Sequence, residues 1–223
     1  MMFECRYGDV IEACGFFDRF VYPVYAGLDQ SALAAWIKAS LWIVPWAGAL
    51  HLLALGLLGG VVLMVDMRVL GFGLTSLDAD QVRRLMRPLC LLALALAFAS
   101  GLVIAFGEML KIYDSPPYWL KMASLLAALV FMFGVRDRLI ASGGQLSKPG
   151  RVLAALSMAL WAGAFVWYAE AYAWIAMGAL VVVLAVFAWL GRGAGNARTK
   201  AASLLSLAMW LTTAAAGRWI AFY

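Results

Sequence analysis

The sequence predicts an all-α protein, a polytopic membrane bundle of six transmembrane helices. Three observations carry that prediction. Of the 223 residues, 66% are hydrophobic and 13% charged, with a mean hydropathy of +0.92; a soluble domain carries about twice that share of charge. Six apolar segments follow one another, at 45–65, 88–107, 119–135, 152–169, 171–190 and 201–217, each near the roughly 20 residues that a bilayer core requires. Positive charge gathers in alternate connections, which is how a multi-pass chain is oriented. The net charge of +5 is therefore a matter of topology and not a nucleic-acid footprint.

The basic connections are 66–87, with Arg68, Arg83, Arg84 and Arg87; 134–151, with Arg136, Arg138, Lys148 and Arg151; and 191–200, with Arg192, Arg198 and Lys200. They hold 11 of the 17 Lys and Arg, which assigns them to the cytoplasm and both termini to the outside. The opposite ends carry Trp36, Trp42, Trp46, Tyr113, Trp119, Trp167, Tyr172, Trp174 and Trp219, an aromatic belt at headgroup depth.

Residues 1–44 form an extracytoplasmic, interfacial segment ahead of the transmembrane domain, 45–223. Glu4, Arg6, Asp9, Glu12, Asp18 and Arg19 interrupt the start, so no cleavable signal is expected. Cys5 and Cys14 would form a disulfide only in an oxidising compartment; two free thiols are the simpler reading. Ser31–Leu41 is expected to be a short helix at the interface, feeding span one near Pro45. Before span two, Asp78 and Gln81 stand at capping-box spacing. Val82, Leu85 and Met86 then make a narrow apolar stripe, so a short surface helix is expected there.

Spans four and five need a turn. Residues 152–190 as one helix would be about 58 Å long, so a hairpin is expected near "WYAEAYAW". Ser157–Trp161 and Ser206–Trp210 share Ser-x-Ala-x-Trp, which would set spans four and six parallel and in register. At matching depth there, Glu170 and Arg218 are expected to form an ion pair.

His51 is the single histidine, about 9 Å down a helix from Pro45 and so in the outer third of the bilayer. Gly48, Leu55, Gly59 and Asp66 share its helix face, which is expected to turn toward other helices. Gly56 and Gly60 would permit close packing on a different face. An ionisable group inside a membrane is a functional candidate, against the plainer reading of an imidazole bonded to a carbonyl or hydroxyl. As a ligand, His51 would suit a soft metal with Met109, at the outer end of span two, as companion. Copper is favoured over haem b, whose bis-histidine form one His cannot supply. Asp66 and Arg68 close span one, expected as a stop signal with a local ion pair or cap. A proton path along this helix is disfavoured, because residues 52–65, "LLALGLLGGVVLMV", are dry. No catalytic triad, phosphate loop or HExxH appears, which weighs against an enzyme.

His51 and Gly59, "DMRVLG" with Asp66, Arg68 and Gly71, "RPL" opening span two, "YWLKM" opening span three and the closing "GRWIAF" together resemble a family of uncharacterised bacterial inner-membrane proteins. The likeness covers 45–140 and the last helix. More distantly, the chain looks like the copper-resistance D (CopD) type of membrane protein, which implies copper movement beside a periplasmic copper-binding partner. The expectation is an inner-membrane protein handling a transition metal near its outer face. The alternative is a non-catalytic subunit or scaffold in which His51 packs helices, bound to the bilayer and to a membrane or periplasmic partner.

Overall fold

The structure is a computed structural model that describes residues 20–74, 76–168 and 197–222. Within them every regular element is helical. Two short helices, α1 (Tyr22–Asp29) and α2 (Ala32–Ala39), precede α3 (Ile43–Leu70) and α4 (Ala79–Gly107). The short α5 (Met109–Tyr113) leads to α6 (Pro116–Phe131), which runs through a π-helical turn, Met132–Arg136, into α7 (Asp137–Ala141). Then come α8 (Lys148–Tyr168) and α9 (Ala197–Trp219), the latter closed by a 3₁₀ turn, Ile220–Phe222.

Five of these helices are long and apolar enough to cross a membrane: Ile43–Leu70, Ala79–Gly107, Pro116–Ala141, Lys148–Tyr168 and Ala197–Phe222. They coincide with expected spans one to four and six. The expected fifth span, 171–190, and the turn before it lie outside the described residues, as do Cys5 and Cys14. Leu52, Leu53, Leu63, Leu91, Leu92, Leu102, Leu126, Leu156 and Leu211 are exposed along these helices. So broad an apolar surface belongs in lipid, which makes this a multi-pass membrane protein.

Local chemistry explains the element ends. Ser31 caps α2 by accepting from the Ala34 amide. Asp78 and Gln81 form both bonds of the expected capping box, Asp78 N to Gln81 Oε1 at 2.9 Å and Gln81 N to Asp78 Oδ1 at 2.7 Å. The surface helix expected there is not separate: α4 continues from Ala79 through Pro88 to Gly107, one bond lost at the proline against packing along its whole length. Gly71 ends α3 at φ 103°, a left-handed cap that glycine adopts without a Cβ penalty.

The seam between α3 and α4 is antiparallel and close. Ala54, Leu58, Val61, Val65 and Val69 are buried on α3, three or four residues apart, and Val82, Cys90, Ala93 and Ala97 on α4, spacings that keep each set on one face of its helix. At the Gly107 end of the seam a methyl on that glycine would stand 2.9 Å from Val44 Cγ2, so glycine permits the approach. This stripe points away from Gly56 and Gly60, which are exposed and meet no described neighbour. The close packing expected at that pair is absent among the described residues.

On its other side the bundle is organised around α6, which packs against both α8 and α9. Phe131, Trp161, Phe165, Leu207 and Met209 fill that core. Above it, at the aromatic end, Tyr25 stacks near Tyr113, Tyr118 and Trp119 and its phenol shares a 3.0 Å bond with Tyr118. Burial, then that bond, pushes the Tyr25 phenol above its ordinary pKa.

The seam makes a direct prediction. Ala93→Leu forces a larger side chain into a fully buried position and is expected to cost about 1–3 kcal/mol. Leu92→Ala, on the lipid-facing side, is expected to change stability by less than about 0.5 kcal/mol. SDS-induced unfolding of the detergent-solubilised protein measures both.

Candidate functional site

Two polar layers interrupt the apolar interior. In α3 they are marked by His51 and Asp66, and in α6 and its π turn by Lys121 and Arg136. Each pair is separated by fifteen residues, about 22 Å of helix.

The layer nearer the aromatic end, called the outer layer for its place in the bundle, joins α3 to α4. His51 Nδ1 lies 3.0 Å from Ser100 Oγ. The Ser100 hydroxyl donates to Leu96 O at 2.6 Å, the usual return of a helical serine to the preceding turn. A serine has one proton to give, so toward His51 its oxygen accepts. The imidazole is thereby held with hydrogen on Nδ1 and a lone pair on Nε2. Gly101 makes room for the ring, since a methyl there would stand 3.1 Å from His51 Cε1. Lys121 lies within electrostatic reach of the imidazole, and its Nζ would be 3.6 Å from a methyl on Gly217. Three spans and the last helix thus meet at this level.

The inner layer is more deeply buried. Asp66 is fully enclosed, and Arg136 is 3% exposed. Arg136 Nη1 donates to Asp66 Oδ2 at 3.0 Å, and Ser206 Oγ donates to the same oxygen at 3.0 Å. The rest of the guanidinium serves Asp137 Oδ1, from Nε at 3.1 Å and Nη2 at 2.9 Å. The π turn sets this geometry: its extra residue per turn brings Arg136 inward to Asp66 while Asp137 remains at the rim.

The structure treats the expected site residues unequally. His51 is half-buried and Asp66 buried, but Leu55 and Gly59, on the same nominal face, are exposed; the buried stripe is offset toward Ala54, Leu58 and Val62, and splits that face. Met109 is buried at the start of α5, past the break at Glu108 that ends α4. Asp66 does not pair locally with Arg68. Side chains two apart on a helix point to opposite sides, and Arg68 Nε instead donates to Leu77 O at 2.6 Å. Arg218 lies over the Phe222 ring at 4.9 Å; its expected partner, Glu170, lies outside the described residues. Among the described residues no group of three or more His, Cys, Asp or Glu converges.

Sequence reasoning missed three participants, Arg136, Ser100 and Ser206. Arg136 read as a topology charge, and Ser206 entered only through the repeated Ser-x-Ala-x-Trp. The signal available for Ser100 was its place beside a glycine in an otherwise apolar span. Ser206 and Ser157 occupy the same place in the repeated Ser-x-Ala-x-Trp, yet Ser157 returns its hydroxyl to Leu153 O and Ser206 spends it on Asp66. The match in sequence is not a match in role.

Removing one partner from the inner layer is expected to be costly. Arg136→Met leaves Asp66 buried without a cation, at about 3–5 kcal/mol, and the double variant Asp66→Leu, Arg136→Met is expected to regain most of that loss. A double-mutant cycle on unfolding in mixed micelles measures the coupling.

No curated protein and no solved structure matches the chain. A family model does, over residues 41–161, which include His51, Asp66, Ser100, Lys121 and Arg136. That match covers more than half of the sequence, and the protein belongs to the family of unknown function DUF6644.

Proposed function

We propose that this is a multi-pass protein of a bacterial inner membrane that takes up a transition metal, copper first, at His51 from the outer side. The arginine-rich connections then lie in the cytoplasm and both termini outside, as charge asymmetry predicts. One observation carries the reading: Ser100 holds the proton on Nδ1 and leaves Nε2 as a lone-pair donor. Metal-binding histidines commonly donate their other ring N–H to a fixed acceptor.

Lys121 bears on which ion enters. Its ammonium repels a dication twice as strongly as a singly charged ion at the same distance, which favours Cu(I), also the softer ion. One imidazole does not hold copper, so the remaining donors come from a periplasmic or membrane partner. The resemblance to CopD-type proteins points the same way. Haem b ranks below copper.

A second reading has its own support. The Ser100 bond and the fit of the ring against Gly101 make His51 a polar knob locking α3 to α4, as suits a scaffold subunit of a larger complex.

Metal analysis and Soret absorbance of purified protein separate the two. Under the first reading, copper copurifies stoichiometrically, His51→Ala loses it and Met109→Ala keeps it. A well-folded wild type free of copper and haem, with His51→Ala merely less stable, sinks the first reading and leaves the second.

A further inference from the structure

One guanidinium at the arginine-rich end has no carboxylate of its own. Arg83 and Arg84 both bind Asp80, and Arg136 binds Asp66 and Asp137. Arg87 stands among them, exposed on α4, with no carboxylate in ion-pair range among the described residues. Four guanidiniums thus answer three carboxylates, and the cluster keeps one positive charge, at Arg87.

Arg87 borders a groove where α4 meets α3 and the π turn. Arg83, Arg87 and Asp137 are part of its polar lining, and Val61, Met86 and Phe133 part of its apolar lining. Asp137 is already engaged, since its Oδ1 accepts twice from Arg136. Past Arg87 the helix turns apolar. Leu91 and Phe98 lie within about 40° of Arg87 on the helix wheel. They are 48% and 46% exposed, with buried Leu94 between them. From Arg87 to Phe98 is about 16 Å of helix, close to half of the roughly 30 Å hydrocarbon core. A cation where the apolar span begins, followed by an apolar track one leaflet long, is the complement of a phospholipid.

We propose that this groove seats one anionic phospholipid, with its phosphate on Arg87 and an acyl chain along Leu91 and Phe98. The phosphodiester carries a single negative charge, which closes the charge balance of the cluster. The guanidinium offers paired N–H donors that match two phosphate oxygens, and basic pockets between membrane helices are a recurrent seat for anionic headgroups. The groove lies at the opposite polar layer from His51 and takes its lipid whether or not His51 binds metal.

Native mass spectrometry of the full-length protein in detergent micelles, titrated with phosphatidylglycerol or with phosphatidylcholine, tests it. The expected result is one phosphatidylglycerol per chain, held about fivefold more tightly than phosphatidylcholine, the worth of one basic residue at an anionic surface. Arg87→Gln is expected to abolish that preference. Arg138→Gln removes a likewise exposed charge at the same end, outside the groove, and is expected to keep it. Phe98→Ala touches only the chain and is expected to weaken both lipids alike. Excess inorganic phosphate is expected to leave the lipid in place. The proposal is overturned by a wild type without the preference, by equal losses from Arg138→Gln and Arg87→Gln, by binding that Phe98→Ala leaves unchanged, or by release of the lipid with inorganic phosphate.

Discussion

Asp66, Arg136 and Ser206 come from three different helices and meet on one carboxylate oxygen. In a bundle whose lipid-facing and core-facing surfaces are both apolar, this is the contact that distinguishes one arrangement of helices from its neighbours. Leu and Val slide past one another at little cost, and hydrocarbon offers no hydrophobic drive for helix association. A buried guanidinium has no such freedom: displaced by one turn, it leaves its partner as an unpaired charge. The register of α3, α6 and α9 follows from this contact, and so does the level at which His51, Lys121 and Gly217 meet at the other end.

The two polar layers divide the labour of the fold. The inner layer is closed, charged and shared among three helices. The outer layer is smaller and less buried, with an imidazole bonded through Nδ1 to a serine of the neighbouring helix. Between them the α3–α4 seam is dry and small-residue-rich, with Ala54, Ala93 and Ala97 buried along it. The seam therefore offers no polar path between the two layers.

Much of this architecture was legible in residue order. The apolar segments placed five of the helices now seen, and the capping box at Asp78 and Gln81 marked the start of α4 correctly. Other readings failed for identifiable reasons. The Gly56–Gly60 pair suggested a packing face, but a small-residue motif says only that helices can approach, not that one does. Asp66 and Arg68 suggested a local pair because they are near in sequence, although two residues on a helix are nearly back to back.

The sequence by itself determined that the chain is helical and spans a bilayer, because hydropathy and charge placement act on each segment independently of its neighbours. It also singled out His51 and Asp66, since an ionisable group in an apolar run is conspicuous without any fold. Only the tertiary structure decided what those two groups touch. Ser100 is forty-nine residues from His51 and Arg136 is seventy from Asp66. No local periodicity links positions so distant; helix register, the widened turn at Met132–Arg136 and the closeness that small residues allow bring them together.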